Sequence, residues 1–179
     1  MTGKFRRLAS TVVGLLFLGT QAGAEDFARL RDVPAPVRQH VQSVLRSCLE
    51  YDRKAGPAME TSGIQAIDLT GKGRRAILVD NVHLCRGHMA GANCSNRGCD
   101  LRIWEQHPDG TWKLTFNEHA HDKFVSLDRD TNKFQFMAIS IYAGDPRCEP
   151  DQGRDYTSGQ SCDLLVTYEK GRWHWRRPR

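Results

Sequence analysis

The chain has 179 residues, of which 39% are hydrophobic and 26% charged, and its formal net charge is +5. No segment is low-complexity, and the length suits a single domain with a core of its own. Three of the positive charges, Lys4, Arg6 and Arg7, lie in an N-terminal segment that we predict to be removed. The mature net charge then falls to about +2, which is too weak to indicate a nucleic-acid partner, and none is expected.

Residues 1–24 contain the three parts of a secretory signal in the usual order. A basic start is followed by the uncharged, apolar stretch Leu8–Thr20 and by the small residues Ala22-Gly23-Ala24 before Glu25. The apolar stretch is shorter than the roughly 20 residues that span a bilayer. We therefore predict a cleaved signal, with an uncleaved N-terminal anchor as the alternative. Residues 25–179 would form one periplasmic or secreted domain without a membrane span.

All six cysteines follow the predicted signal, at Cys48, Cys85, Cys94, Cys99, Cys148 and Cys162. An even number of cysteines in an exported chain indicates disulfides rather than metal binding or thiol catalysis. We predict a bridge between Cys148 and Cys162, which would close a loop rich in Pro and Gly between two strands. A second bridge is expected within the group Cys85, Cys94 and Cys99, and the remaining member would reach Cys48.

A helix is predicted from Pro34 to Tyr51, because valines and leucines recur there at helical spacing. From Gly63 onward, short strands alternate with turn residues. The predicted strands are Ile64–Leu69, Ala76–Val82, Cys99–Gln106, Thr111–Phe116, Phe124–Asp128, Lys133–Tyr142, Cys162–Tyr168 and Arg172–Arg176. Short turns make neighbouring strands antiparallel. The predicted fold is α+β, with one N-terminal helix packed on a disulfide-stabilised antiparallel β-meander, either barrel-like or a two-layer sandwich.

Two long irregular segments, Leu84–Gly98 and Gly144–Ser161, are bounded by cysteines. Ordered long loops often carry function, although these two could equally be simple insertions. No catalytic motif is recognisable, and G-x-S-x-G is absent. The leading hypothesis is a non-enzymatic binding module that acts through these loops, with an envelope protein or an anionic polysaccharide as its partner.

A second hypothesis starts from the sequence Glu118-His119-Ala120-His121-Asp122. On an extended segment, His119 and His121 point to the same face and could share a metal ion with Asp122. The function would then be a small extracytoplasmic metal-dependent hydrolase. Zinc needs a further ligand at suitable spacing, and a solvated turn between strands explains the cluster as well. No cofactor is therefore predicted.

The C-terminus is basic and aromatic. If Arg172–Arg176 is a strand, Trp173 and Trp175 face one side, while Arg172, His174 and Arg176 face the other. Together with Arg177, these side chains could bind an anion or a polysaccharide, since arginine recognises carboxylates and phosphates through paired hydrogen bonds. The alternative is a final edge strand with its tryptophans in the core and its arginines in water.

The segment IDLTGKGRRAILVD, residues 67–80, resembles the strand–turn–strand unit of FG-GAP/VCBS-type repeats over its turn Asp68–Asp80. In those repeats the turn binds calcium between two apolar strands. Thr70, Lys72 and Ala76 stand where the family pattern has Asn or Asp, so the oxygen ligands for calcium are missing and calcium is not expected. The wider arrangement resembles small exported bacterial proteins.

Overall fold

The computed structural model describes residues 30–51, 63–84, 94–148 and 160–178. The predicted signal and Cys85 lie outside these ranges. After a short 3-10 turn at Leu30–Asp32, the elements are α1 (Ala35–Tyr51), β1 (Ile64–Asp68), β2 (Arg75–Asp80), β3 (Cys94–Ser95), β4 (Gly98–Gln106), β5 (Trp112–Ala120), β6 (Asp122–Leu127), β7 (Phe134–Tyr142), β8 (Ser161–Glu169) and β9 (Arg172–Arg176). The helix and eight strands match the predicted elements within a few residues, and the two-residue β3 is additional.

Two antiparallel sheets contain all of these strands. In the first sheet β2 lies between β1 and β4, and β4 also pairs with β3 and β5. The second sheet is the meander β6-β7-β8-β9. The α+β class and the antiparallel pairing of the strands are confirmed, and the strands are divided between two sheets.

The chain passes from the first sheet to the second through a single residue. His121 separates β5 from β6, and its backbone N–H donates to the carbonyl of Ser140 in β7 over 2.7 Å. A second junction joins Asp68 at the end of β1 to Lys133 through a parallel bridge. The sheets form separate ladders, as in a sandwich, yet the chain turns from one to the other as at the corner of a barrel.

The space between the sheets holds the larger hydrophobic core. Alternation along the strands directs Leu78, Leu101 and Ile103 of the first sheet toward Met137 and Ile139 of the second, and all five are at most 1% exposed. The predicted orientation of β9 is confirmed, since Trp173 and Trp175 pack against this core from the edge of the second sheet.

The helix covers the other face of the first sheet. Val37, Val41 and Val44 lie on one stripe of α1 and pack against Ile77 and Trp104. The three valines are fully buried. Among the described residues, no helix is both long and apolar enough to cross a bilayer.

One carboxylate interrupts the core between the sheets. Glu105, near the end of β4, is only 1% exposed. It forms an ion pair with Arg74, and the hydroxyl of Tyr168 in β8 donates to its Oε2 over 2.7 Å. Burial, and then the bond to Glu105, raises the pKa of Tyr168 to about 12. This contact joins the sheets by a polar bond within an apolar interior.

Two disulfides that agree with the predictions are present. Cys148 bonds to Cys162 as predicted, and Cys94 bonds to Cys99 within the predicted group. Cys48 is also disulfide-bonded and lies buried on the helical stripe. Its predicted partner, Cys85, is outside the described residues, so that pairing stays a prediction. These bonds indicate an oxidising, non-cytoplasmic environment.

Candidate functional site

The two described disulfide-held segments line one cleft of about 330 Å³. Arg97 projects from the hairpin closed by Cys94–Cys99, and the turn from Gly144 to Arg147 lies next to Cys148. Glu118 and His119 of β5 also line it, together with Tyr142 of β7. We call this the disulfide cleft. Segments about 50 residues apart in the chain thus contribute to one concave surface.

Gly98 brings the Cys94–Cys99 hairpin close to β5. Its φ is +107°, a conformation that residues with a Cβ rarely adopt. A Cβ there would also lie 2.4 Å from the carbonyl carbon and oxygen of Ala120. The hairpin can therefore approach the end of β5 only because residue 98 has no side chain.

Arg147 holds the opposite wall of the cleft. Its guanidinium donates to both carboxylate oxygens of Glu118, over 3.0 and 2.8 Å, and to both oxygens of Asp145, each over 2.8 Å. It also lies 4.4 Å from the ring centroid of Trp175. The bonds to Arg147 lower the pKa of Asp145, and the two carboxylates raise the pKa of Arg147. One side chain fixes the turn, β5 and β9 relative to one another.

His119 is among the residues that line the cleft, and its imidazole rests on a buried support. Its Nε2 lies 3.0 Å from Oδ1 of Asp100, which is directly opposite on β4 and only 5% exposed. Arg102 donates to the other oxygen of Asp100 over 2.6 Å. When neutral, His119 donates from Nε2, and its Nδ1 is then an acceptor. Asp100 and Arg102 thus position an imidazole that is half exposed.

The same Arg102 continues the polar network to the helix. Its Nη1 lies 3.2 Å from Nδ1 of His40, whose Nε2 lies 3.0 Å from Oδ1 of Asn81. Since an arginine can only donate, Nδ1 of His40 accepts and Nε2 carries the proton. Burial, followed by the charge of Arg102, lowers the pKa of His40. A second proton, on Nδ1, would point at the positively charged guanidinium of Arg102, so the charged form of His40 is disfavoured.

This network predicts a loss of stability in mild acid. The pKa of His40 is lower in the folded protein than its unfolded value of about 6.5. The stability that neutral His40 contributes is therefore fully present above about pH 6.5, and it is lost as the pH falls from about 6.5 toward the folded pKa. We expect the free energy of unfolding of the wild type to fall more steeply below pH 6.5 than that of His40→Gln. Urea titrations at several pH values would measure both curves, and parallel curves would contradict the assignment.

The three residues of the predicted metal cluster separate at the crossover between the sheets. His119 lies in β5 and lines the disulfide cleft, whereas His121 and Asp122 border a small depression with Asp80 and Lys123. The alternation that would align the histidines ends at Ala120, where β5 stops. No metal-binding group of three or more His, Cys, Asp or Glu side chains occurs among residues 30–51, 63–84, 94–148 and 160–178.

The predicted C-terminal face is exposed but is not part of this cleft. Arg172, His174 and Arg176 lie on the outer side of the edge strand β9, opposite the two tryptophans. The side chain of Arg177 turns back and donates from Nε to the carbonyl of Arg147 over 3.2 Å. Three of the four residues therefore lie on an open face, and the fourth contacts the wall of the cleft.

The turn that resembles FG-GAP/VCBS repeats is organised around Asp68. Its carboxylate accepts backbone N–H bonds from Thr70, Gly71, Gly73 and Arg74, over 2.7 to 3.1 Å. Amide hydrogens thus surround the acidic group at the start of the turn. A relation to those repeats stays a prediction.

Sequence reasoning did not find Arg147, Asp100 or Arg102 as parts of a site. No local sequence pattern distinguishes these charged residues from others. Their roles depend on partners that strand pairing brings close to them. Comparison with known proteins adds no assignment: no family model, curated protein or solved structure matches the chain.

Proposed function

We propose that the protein is a periplasmic or secreted binding module, and that its disulfide cleft takes a polar segment of an envelope protein. The observation that carries the proposal is the meeting of the Cys94–Cys99 hairpin and the turn next to Cys148 around one cleft. Disulfides limit the freedom of both segments, so little conformational entropy is lost when a partner binds.

The chemistry of the cleft suits a polypeptide. Arg97 supplies donors, while His119 offers an acceptor at Nδ1 whenever its ring carries a single proton. The carboxylates of Glu118 and Asp145 are paired with Arg147, so they give the cleft no strong negative charge. A peptide segment presents both N–H and C=O groups and would use donors and acceptors together. The volume of about 330 Å³ admits a few side chains rather than a whole domain.

The predicted signal at residues 1–24 and the disulfides together support a location outside the cytoplasm. A disulfide-held cleft needs such an environment to keep its shape. The alternative of a metal-dependent hydrolase gains nothing from the geometry, because His119 lines a different surface from His121 and Asp122.

Site-specific photo-crosslinking in cells that produce the full chain would test this function. A benzophenone amino acid replaces Arg97 inside the cleft, and the matched control carries it at Arg129, an exposed arginine on the turn between β6 and β7. We expect a discrete adduct with one envelope protein from position 97 and none from position 129. His119→Ala should reduce the yield of that adduct, since it removes a contact without opening a disulfide.

Equal labelling from both positions, or no adduct from position 97 in oxidised and correctly folded protein, would contradict the proposed function. The unfolding midpoint of each variant provides the folding control.

A further inference from the structure

A second cleft lies at the other end of β4. Strand β4 begins beside the disulfide cleft at Gly98 and ends at Gln106, which lines an open cavity of about 1140 Å³. Its walls are the turn after β1, the hairpin between β4 and β5, the start of β7 and the turn between β8 and β9. We call this the basic cleft, because five of its lining residues are Lys72, Arg74, Arg75, Lys133 and Lys170.

The described lining of this cleft carries more positive than negative charge. Among the described residues of its lining Glu169 is the single acidic one, and Arg74 is paired with the buried Glu105. Within the described parts of the chain, the side chains of Lys72, Lys133 and Lys170 form no ion pair or hydrogen bond. Concentration of like charge in a concave surface strengthens the local potential.

The fold itself brings the cations together. The bridge between Asp68 and Lys133 joins the turn of the first sheet to the second, and the N–H of Asp68 donates to the carbonyl of Asn132 over 3.2 Å. The stem of Lys133 lies against Gly71, where an added Cβ would come within 2.7 Å of its Cδ. The backbone segments that carry the cations of the two sheets are therefore held close to one another.

The cations are distributed over several walls of the cleft. They come from three separate segments: the turn after β1, the start of β7 and the turn between β8 and β9. A single small anion would contact only part of this set. An extended ligand with repeated negative groups would contact all of it, and each contact would add to the attraction.

The aromatic residues of the cleft disfavour a nucleic-acid ligand. Phe134 is only 3% exposed, and Tyr168 packs against Trp173 with ring centroids 4.8 Å apart. Their rings therefore pack against other residues of the protein. Proteins that bind single-stranded nucleic acids instead present exposed aromatic rings on which the bases stack. We propose that the basic cleft binds an acidic polysaccharide, a site separate from the disulfide cleft and independent of the protein partner proposed there.

The test measures binding of the full oxidised protein to defined polymers by calorimetry at several salt concentrations. Polygalacturonate supplies carboxylates, dextran sulfate supplies sulfates, and neutral dextran controls for the sugar itself. We expect binding to at least one acidic polymer, no binding to neutral dextran, and affinity that falls as salt rises. The carboxylate and sulfate arms identify which anionic group the cleft prefers.

The matched variants are Lys133→Gln/Lys170→Gln in the cleft and Arg172→Gln/Arg176→Gln on the outer face of β9, each removing two positive charges. We expect the first to weaken binding by at least about tenfold and the second to change it little. The proposal is overturned if both variants lose affinity equally, if neither acidic polymer binds at low salt, or if single-stranded DNA binds as tightly as the polysaccharides. Unchanged urea unfolding would confirm that both variants are folded.

Discussion

Replacing Glu105 with alanine is expected to lower the free energy of unfolding by about 3 kcal/mol. The carboxylate is almost fully buried between the sheets. It accepts a hydrogen bond from the hydroxyl of Tyr168 and forms an ion pair with Arg74. Its removal leaves the hydroxyl without a partner, leaves the guanidinium without its counter-charge, and opens a cavity in the core. Urea-induced unfolding, followed by tryptophan fluorescence, would measure the change.

Matched variants separate the polar contact from the volume of the side chain. Glu105→Gln keeps the shape and an acceptor for Tyr168 but removes the charge, so its loss should be smaller than that of Glu105→Ala. The double variant Glu105→Met/Tyr168→Phe removes both partners and should cost less than the sum of the single changes. Strict additivity of the two changes would show that the contact between the side chains is not what stabilises the sheets.

Removing the Cys148–Cys162 bridge is the second large change. The bond links residues 14 positions apart, and its loss in Cys148→Ser/Cys162→Ser is expected to lower the free energy of unfolding by about 3 kcal/mol. The bridge limits the conformations of the unfolded chain and also anchors the turn that carries Arg147. Denaturant unfolding of the two proteins under oxidising conditions gives the difference.

Cys94→Ser/Cys99→Ser is the natural comparison, because that bridge spans only five positions. The entropy removed from the unfolded chain grows with loop length, so this pair should lose less stability. A larger loss from the shorter bridge would mean that strain or packing in the folded state, and not loop closure, determines the effect.

Much of the fold could be predicted from local sequence because its signals are local. The valine stripe in α1 has helical spacing, and strand alternation with turns such as Pro108-Asp109-Gly110 marks the hairpins. The Cys148–Cys162 pair could be predicted because it flanks one loop between adjacent strands. Strand β3 was missed, since two residues carry no periodicity and are defined only by pairing with β4.

The sites could not be predicted in the same way because they depend on distant partners. His119 looks like a residue of a polar turn until pairing with Asp100 extends β5 through it. Arg147 acquires its role from Glu118 and Trp175, which lie almost 30 residues away on either side. The basic cleft collects lysines from segments that look like ordinary solvated turns. The pairing of the strands and the bridge between Asp68 and Lys133 bring these charges together.

The single residue between β5 and β6 limits how the molecule can respond to a ligand. A hinge needs a few residues whose backbone angles can change freely, but His121 is bonded to Ser140, and the bridge at Asp68 holds the sheets at a second place. These two attachments oppose any swinging motion of the two layers. We expect recognition to use preformed surfaces, with side-chain adjustment rather than domain closure, so bound and free backbones should superpose closely across both sheets.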